Sequence, residues 1–343
     1  MVSKKEILLK LKEMLLSKKN NPINKIISNE EFILSLLNFS LNNIDLFCTN
    51  LGIVYNYYFL SKDNNTNYSI EEIFERYNNL LTSGINLKEK AIDNGIFTHS
   101  CNGNMVEYIK KNGLGSNLNK NDELFRALNF LENKLGITGE YTKQQSGRID
   151  EVYFTSPGAT SFGYACNFAP ERLFLGILKQ DRDNSINITY GESKIDYYRK
   201  VIYNKFNNSI DEETKKNIEI VLNGYFKSNN CIISFPVSSI IESDNIYFET
   251  VSEKNHINIK EHIEANCNDG YNFFTTNVGS NSNTNNMDNL IMINTVISPD
   301  KLGFLFVPDR YDLIQLIAKN KGLNLGEELD YFTFEPYRKQ KGK

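Results

Sequence analysis

Tyr153 and Tyr164 stand eleven residues apart in Glu151-Val-Tyr-Phe-Thr-Ser-Pro-Gly-Ala-Thr-Ser161-Phe-Gly-Tyr164-Ala. The run reads as a short strand, a Ser-Pro-Gly turn and the start of a helix. Two aromatic rings mounted this way can clamp a flat heterocycle from both sides, each pair adding about 1 kcal/mol beyond simple burial. The Ser161 hydroxyl, both donor and acceptor, can then select an amide over any other planar ring. Upstream, Phe97-Thr-His99-Ser100-Cys101 ends a short apolar strand on a histidine, one of three in the chain. Taken alone, His99 reads first as a half-buried histidine at a strand end, and second as a hydrogen-bonding group for a ligand hydroxyl. The tyrosines also have a plain alternative as core aromatics, since the chain holds 19 Tyr and 22 Phe.

The joint spacing favours a ligand. Gly113-Leu114 follows His99 by fourteen residues, and Ser161 and Tyr164 follow Tyr153 at fixed intervals. Together these motifs resemble the NAD-binding core of the ADP-ribosyltransferase superfamily, in the branch of the poly(ADP-ribose) polymerases and diphtheria toxin. The matched stretch runs only from Phe97 to Ala165, about a fifth of the chain. The resemblance implies that His99 binds a ribose hydroxyl and that the backbone of Ser100 holds the nicotinamide amide. The family commonly has Gly at this second position, so Ser100 adds a Cβ where a ligand should come close. It further implies that Tyr164 stacks on nicotinamide, that Ser161 bonds its carboxamide, and that Tyr153 is the tyrosine of the His-Tyr-Glu set.

The glutamate of that set is missing from its expected place. Breaking the nicotinamide–ribose bond builds positive charge on the sugar, which a nearby carboxylate stabilises. The corresponding late strand here is Ile293-Asn-Thr-Val-Ile-Ser-Pro-Asp300, and neither of its faces offers a Glu. Three explanations stay open: single transfer with help from a substrate carboxylate, a carboxylate from elsewhere, or binding without turnover. Glu249, in Ile246-Tyr-Phe-Glu249, is the first candidate for a carboxylate from elsewhere, ahead of Asp288. On a strand, such a residue is also the ordinary solvent-facing group of a sheet edge.

The elements that must position these residues follow from periodicity. Helical patterns fill the first ninety residues, with capping boxes at Ser3-Lys-Lys-Glu6 and Ser69-Ile-Glu-Glu72 and a stop at Gly84. A helix over 105–112 closes on Gly113, and residues 116–147 form a polar, partly helical insertion. Ser209-Ile-Asp-Glu212 predicts a further capped helix ending at Gly224. Strand-like runs follow at 231–235, 246–248, 290–297 and 304–307, then a helix over 311–320. The expected fold class is α+β: a split two-sheet ADP-ribosyltransferase-like domain over 93–343, preceded by a small helical domain over 1–92.

Composition sets the outer bounds. With 343 residues, 40% hydrophobic and 23% charged, and no long apolar run, the chain reads as soluble and globular. A net charge of −4 disfavours a broad nucleic-acid surface. The five cysteines are widely spaced without a Cys-x-x-Cys pair, which supports neither a disulfide framework nor a zinc ribbon. His256 and His262, six apart, make a poor metal pair, and Gly113-Leu-Gly115 lacks the rest of a dinucleotide fingerprint. Met-Val-Ser-Lys-Lys-Glu leads into a charged amphipathic segment, so the expected location is cytoplasmic, with export by another route left open.

The expected function is mono-ADP-ribosyl transfer, with NAD as the ADP-ribose donor. The partners are NAD and a macromolecular acceptor, protein before nucleic acid, with no membrane. The alternative is a silent NAD- or ADP-ribose-binding module, or a structural interaction protein whose aromatic pair is core.

Overall fold

His99 lies on β1, Ile96–Cys101, in a computed structural model that describes residues 22–115, 123–136, 151–166, 190–206, 210–227, 229–249, 253–266, 273–274 and 289–322. Among the described residues, five helices precede it: α1 Pro22–Ile27, α2 Glu30–Phe39, α3 Ile44–Ser61, α4 Ile70–Thr82 and α5 Leu87–Asn94. The capping box at Ser69 and Glu72 forms with both reciprocal bonds. The helix ends at Thr82, and Gly84 takes the left-handed conformation just beyond. After β1 come α6 Val106–Asn112, β2 Leu114–Gly115 and α7 Glu123–Lys134. Then follow β3 Glu151–Phe154, α8 Ala159–Cys166, α9 Lys194–Lys205, α10 Glu212–Phe226 and β4 Asn230–Pro236. The chain continues through β5 Ile246–Glu249, β6 Lys254–His256, α11 Ile259–Asn266, β7 Asn289–Ile293 and β8 Val296–Ile297. The described part ends with β9 Gly303–Val307 and α12 Arg310–Lys321. The chain is α+β, and among the described residues no helix is long and apolar enough to cross a membrane.

Two antiparallel sheets carry the architecture. One has the order β1-β4-β9, the other β3-β7-β5-β6, and β2 pairs separately with β8. Among the described residues, a single bridge, Thr98 with Thr155, joins the two larger sheets. Phe97, Phe154, Phe235 and Phe273 interlock beside it, with ring centroids 4.9 to 6.1 Å apart, mostly edge to face. That aromatic cluster belongs to one hydrophobic core that also takes in the buried faces of α1 to α5, including Phe47, Leu51, Val54 and Ile73. A second core gathers Leu128, Val201, Ile202, Val221 and Leu222 of α7, α9 and α10 against Tyr311 and Ile314 of α12.

Two elements differ from the sequence reading. The run 290–297 is not one strand: Asn294 takes φ +51°, the chain bends, and β8 leaves the sheet to pair with β2. α10 is capped by Asp211, whose side chain accepts from the Thr214 N–H, and it does not end at Gly224 but runs on to Phe226. Gly224 lies inside the helix, where a Cβ would meet Leu124 Cδ1 of α7 at 2.4 Å. The glycine therefore marks a close helix–helix approach instead of a helix end. The first capping box at Ser3, Ser209, Cys267, Asp288 and the basic tail lie outside the described residues.

Candidate functional site

The two sheets part immediately after their one bridge. Thr98 N–H donates to Thr155 O at 2.7 Å, and Thr155 N–H to Thr98 O at 3.0 Å. In a continuing antiparallel ladder the next exchanging pair would be Ser100 with Tyr153. Instead the imidazole of His99 takes the place, with Nδ1 2.7 Å from the Tyr153 carbonyl. A carbonyl can only accept, so Nδ1 carries the proton and Nε2 presents a lone pair. Burial holds the His99 pKa below its ordinary value, against the opposing pull of the Tyr153 carbonyl. At neutral pH the ring is therefore uncharged and offers an acceptor. Backbone groups two apart on a strand point the same way, so the Ser100 N–H and C=O point, like those of Thr98, toward the β3 side, where the ladder has stopped.

The added side chain of Ser100 does not fill that gap. Neighbours on a strand project to opposite faces, and Ser100 Oγ turns to α8, donating to Ser161 O at 2.5 Å. α8 follows β3 through the turn Ser156-Pro157-Gly158, and Ser161 is 3% exposed. The Ser161 hydroxyl makes only long local bonds, donating to Gly158 O at 3.2 Å and accepting from Gly158 N–H at 3.4 Å. These are weak enough to exchange for a better-placed amide. Tyr164 stands one turn on from Ser161 along the same helix face, 40% exposed. Phe162 points away into the core and meets Tyr55 of α3 edge-on at 5.7 Å.

α3 supplies the footing of this turn. Asn56 Nδ2 donates to Pro157 O at 3.1 Å and lies 3.4 Å from Phe274 O, while Asn56 itself is buried. One helical turn earlier, Gly52 packs so closely that a Cβ there would lie 2.9 Å from Gly158 Cα. The turn that orients Ser161 thus rests on the Asn56 side chain and the bare backbone at Gly52, both from a helix a hundred residues away in sequence.

Glu249, the first candidate for a carboxylate from elsewhere, approaches Tyr153 across the intervening strand β7. Tyr153 and Glu249 are opposite Ile291 and Asn289 of β7, so both project to the same face of the second sheet. The Tyr153 hydroxyl lies 2.9 Å from Glu249 Oε2 and 3.1 Å from Glu151 Oε2. Lys254, the register partner of Glu249 on β6, ion-pairs with Glu151 and stands 3.6 Å from Glu249 Oε1. β5 is an interior strand, and the Glu249 side chain is 16% exposed, so it is not a solvated edge group. The sequence reading missed Glu151 and Lys254. The signal for Glu151 was its i, i+2 spacing to Tyr153 on one strand; for Lys254 it was the opposite charge ending a short polar hairpin after Glu249.

The predicted residues are therefore linked in pairs: His99 to Tyr153, Ser100 to Ser161, and Tyr153 to Glu249, with Tyr164 one turn beyond Ser161. Among the described residues, the cysteines and the other histidines do not assemble a second site. Cys101 faces Cys231 across β1 and β4, both buried. Burial pushes the Cys101 thiol well up and Cys231 to about 12, so neither is a thiolate nucleophile at neutral pH. His256 sits on β6 with Nε2 2.7 Å from the Asp244 carbonyl, while His262 on α11 packs against Phe248. No group of three or more metal-binding side chains forms among the described residues. A cavity of about 820 Å³ opens elsewhere, among Ile27, Ile33, Tyr190, Phe306, Leu316 and Lys319, and includes none of the predicted residues.

Against known proteins, no family model, no curated protein and no solved structure matches the chain.

Proposed function

We propose that this protein is a mono-ADP-ribosyltransferase of the split-sheet kind, moving ADP-ribose from NAD to a macromolecular acceptor and releasing nicotinamide. The observation that carries the reading is the approach of Glu249 to Tyr153 at 2.9 Å beside the interrupted β1–β3 ladder. It supplies, from another strand, the carboxylate that the run 290–297 lacks.

In this reading nicotinamide lies in the gap where the ladder stops. The Ser100 backbone and the Ser161 hydroxyl hold its carboxamide, Tyr164 and Tyr153 flank the ring, and Nε2 of His99 accepts from a ribose hydroxyl. The bond between ribose C1 and the ring nitrogen breaks with its electron pair going to nicotinamide, which leaves neutral. Positive charge then gathers on the ribose, and the Glu249 carboxylate offsets it. An acceptor nucleophile bonds to C1 and loses its proton to solvent. The net charge of −4 favours a protein acceptor over nucleic acid.

The test is incubation of purified protein with NAD, following nicotinamide by chromatography and adducts by mass spectrometry, with NAD binding measured by calorimetry. Release that His99→Ala and Tyr164→Ala abolish supports the reading. Absence of NAD binding sinks it, and binding without turnover would favour a silent module.

A further inference from the structure

We propose that Lys254 is a positioning residue for Glu249: its ammonium lets two carboxylates share one tyrosine hydroxyl, keeping Glu249 at the reaction site. The inference rests on the transferase reading above. Glu151 and Glu249 come from β3 and β5, strands separated by β7. Both approach the Tyr153 oxygen, at 3.1 and 2.9 Å, so the two carboxylate oxygens lie within about 6 Å of each other. The hydroxyl has one proton and can donate it to one of them at a time. Left alone, two like charges this close repel, and the Glu249 side chain would be displaced from Tyr153.

Among the described side chains, the Glu249 carboxylate meets the Tyr153 hydroxyl from β3, which Glu151 also approaches, and Lys254 from β6. His256, also on β6, is turned edge-on to Tyr247, with its ring nitrogen at the Asp244 carbonyl. Lys254 therefore supplies the cation of the cluster, paired with Glu151 and 3.6 Å from Glu249. It comes from the outermost strand of the sheet, and its side chain is 37% exposed, against 11% for Glu151 and 16% for Glu249. An ion pair this open adds little to fold stability, so its consequence falls on the arrangement of the two carboxylates.

The experiment measures nicotinamide release from NAD, with water as the acceptor, in wild type, Lys254→Met, Lys254→Arg and the double variant Glu151→Gln with Lys254→Met. Lys254→Met is expected to lower kcat about ten- to hundredfold with KM for NAD unchanged. Its Tm should stay within about 3 °C of wild type. Lys254→Arg restores the rate, and so does the double variant, to within about threefold, because removing Glu151 removes the need for the cation. A structural role for Lys254 predicts neither the split between kcat and KM nor recovery on losing a second group. Full activity in Lys254→Met, or a double variant no better than Lys254→Met, overturns the positioning role and leaves the transferase reading standing. A wild type that neither releases nicotinamide nor binds NAD removes both.

Discussion

The Tyr153 hydroxyl lies 2.9 Å from a carboxylate oxygen of Glu249, although 96 residues and an intervening strand separate the two. Neither residue alone distinguishes a binding cleft from an ordinary sheet face. Their meeting, beside a ladder that stops after one bridge, gives the chain its best candidate for glycosidic chemistry.

Tyr164 and Phe162, two apart on α8, should behave as opposites. Tyr164→Ala removes a 40% exposed ring and should change stability by less than about 0.5 kcal/mol, while weakening NAD binding about tenfold. Phe162→Ala empties a fully buried site against Tyr55 and should cost about 3–5 kcal/mol. Chemical denaturation and calorimetry on the two variants check the contrast.

The footing on α3 predicts a coupling between distant parts of the chain. Asn56→Ala leaves the buried Pro157 carbonyl without its donor and should cost about 1–3 kcal/mol. Gly52→Ala improves helix propensity by about 1 kcal/mol, yet its Cβ would press on the Gly158 backbone. We expect net destabilisation of about 1–2 kcal/mol and weaker NAD binding, since the displaced turn carries Ser161. A more stable Gly52→Ala protein would contradict the close approach.

His99 sets a pH dependence of known sign. In the unfolded chain it titrates near 6.5, and burial lowers that value in the fold. Between the two values the unfolded state binds more protons, so stability rises with pH. The contribution is complete above 6.5 and is lost as pH falls through the lowered folded value. Wild type should therefore lose Tm more steeply than His99→Gln between about pH 7.5 and about pH 5. His262, also lowered by burial, contributes with the same sign in both proteins and cancels in the comparison.

What the sequence disclosed was local. The strand at His99, the strand–turn–helix from Tyr153 to Tyr164 and the capping box at Ser69 follow from residue type at short range. Strand neighbours do not. That β7 would lie between β3 and β5, bringing Glu249 to Tyr153, depends on pairings across many residues that no local pattern encodes. The expected place for the carboxylate was a strand over 290–297, which Asn294 interrupts with a left-handed backbone, a conformation that Asn tolerates better than most residues. The bounds of α3 were unmarked for a different reason: Phe47, Leu51, Val54 and Tyr58 form one buried stripe, but Cys48 and Tyr55 on one flank and Asn50 and Tyr57 on the other are buried too, which widens the face beyond a one-sided pattern.

In the proposed reaction, the Glu249 carboxylate supports cleavage of the nicotinamide–ribose bond. The most direct measurement is nicotinamide release from NAD by wild type and Glu249→Gln, an isosteric change that removes the charge. Glu249→Gln is expected to lose about a hundredfold or more in kcat, with NAD affinity and Tm nearly unchanged. An active wild type with an equally active Glu249→Gln protein would contradict it.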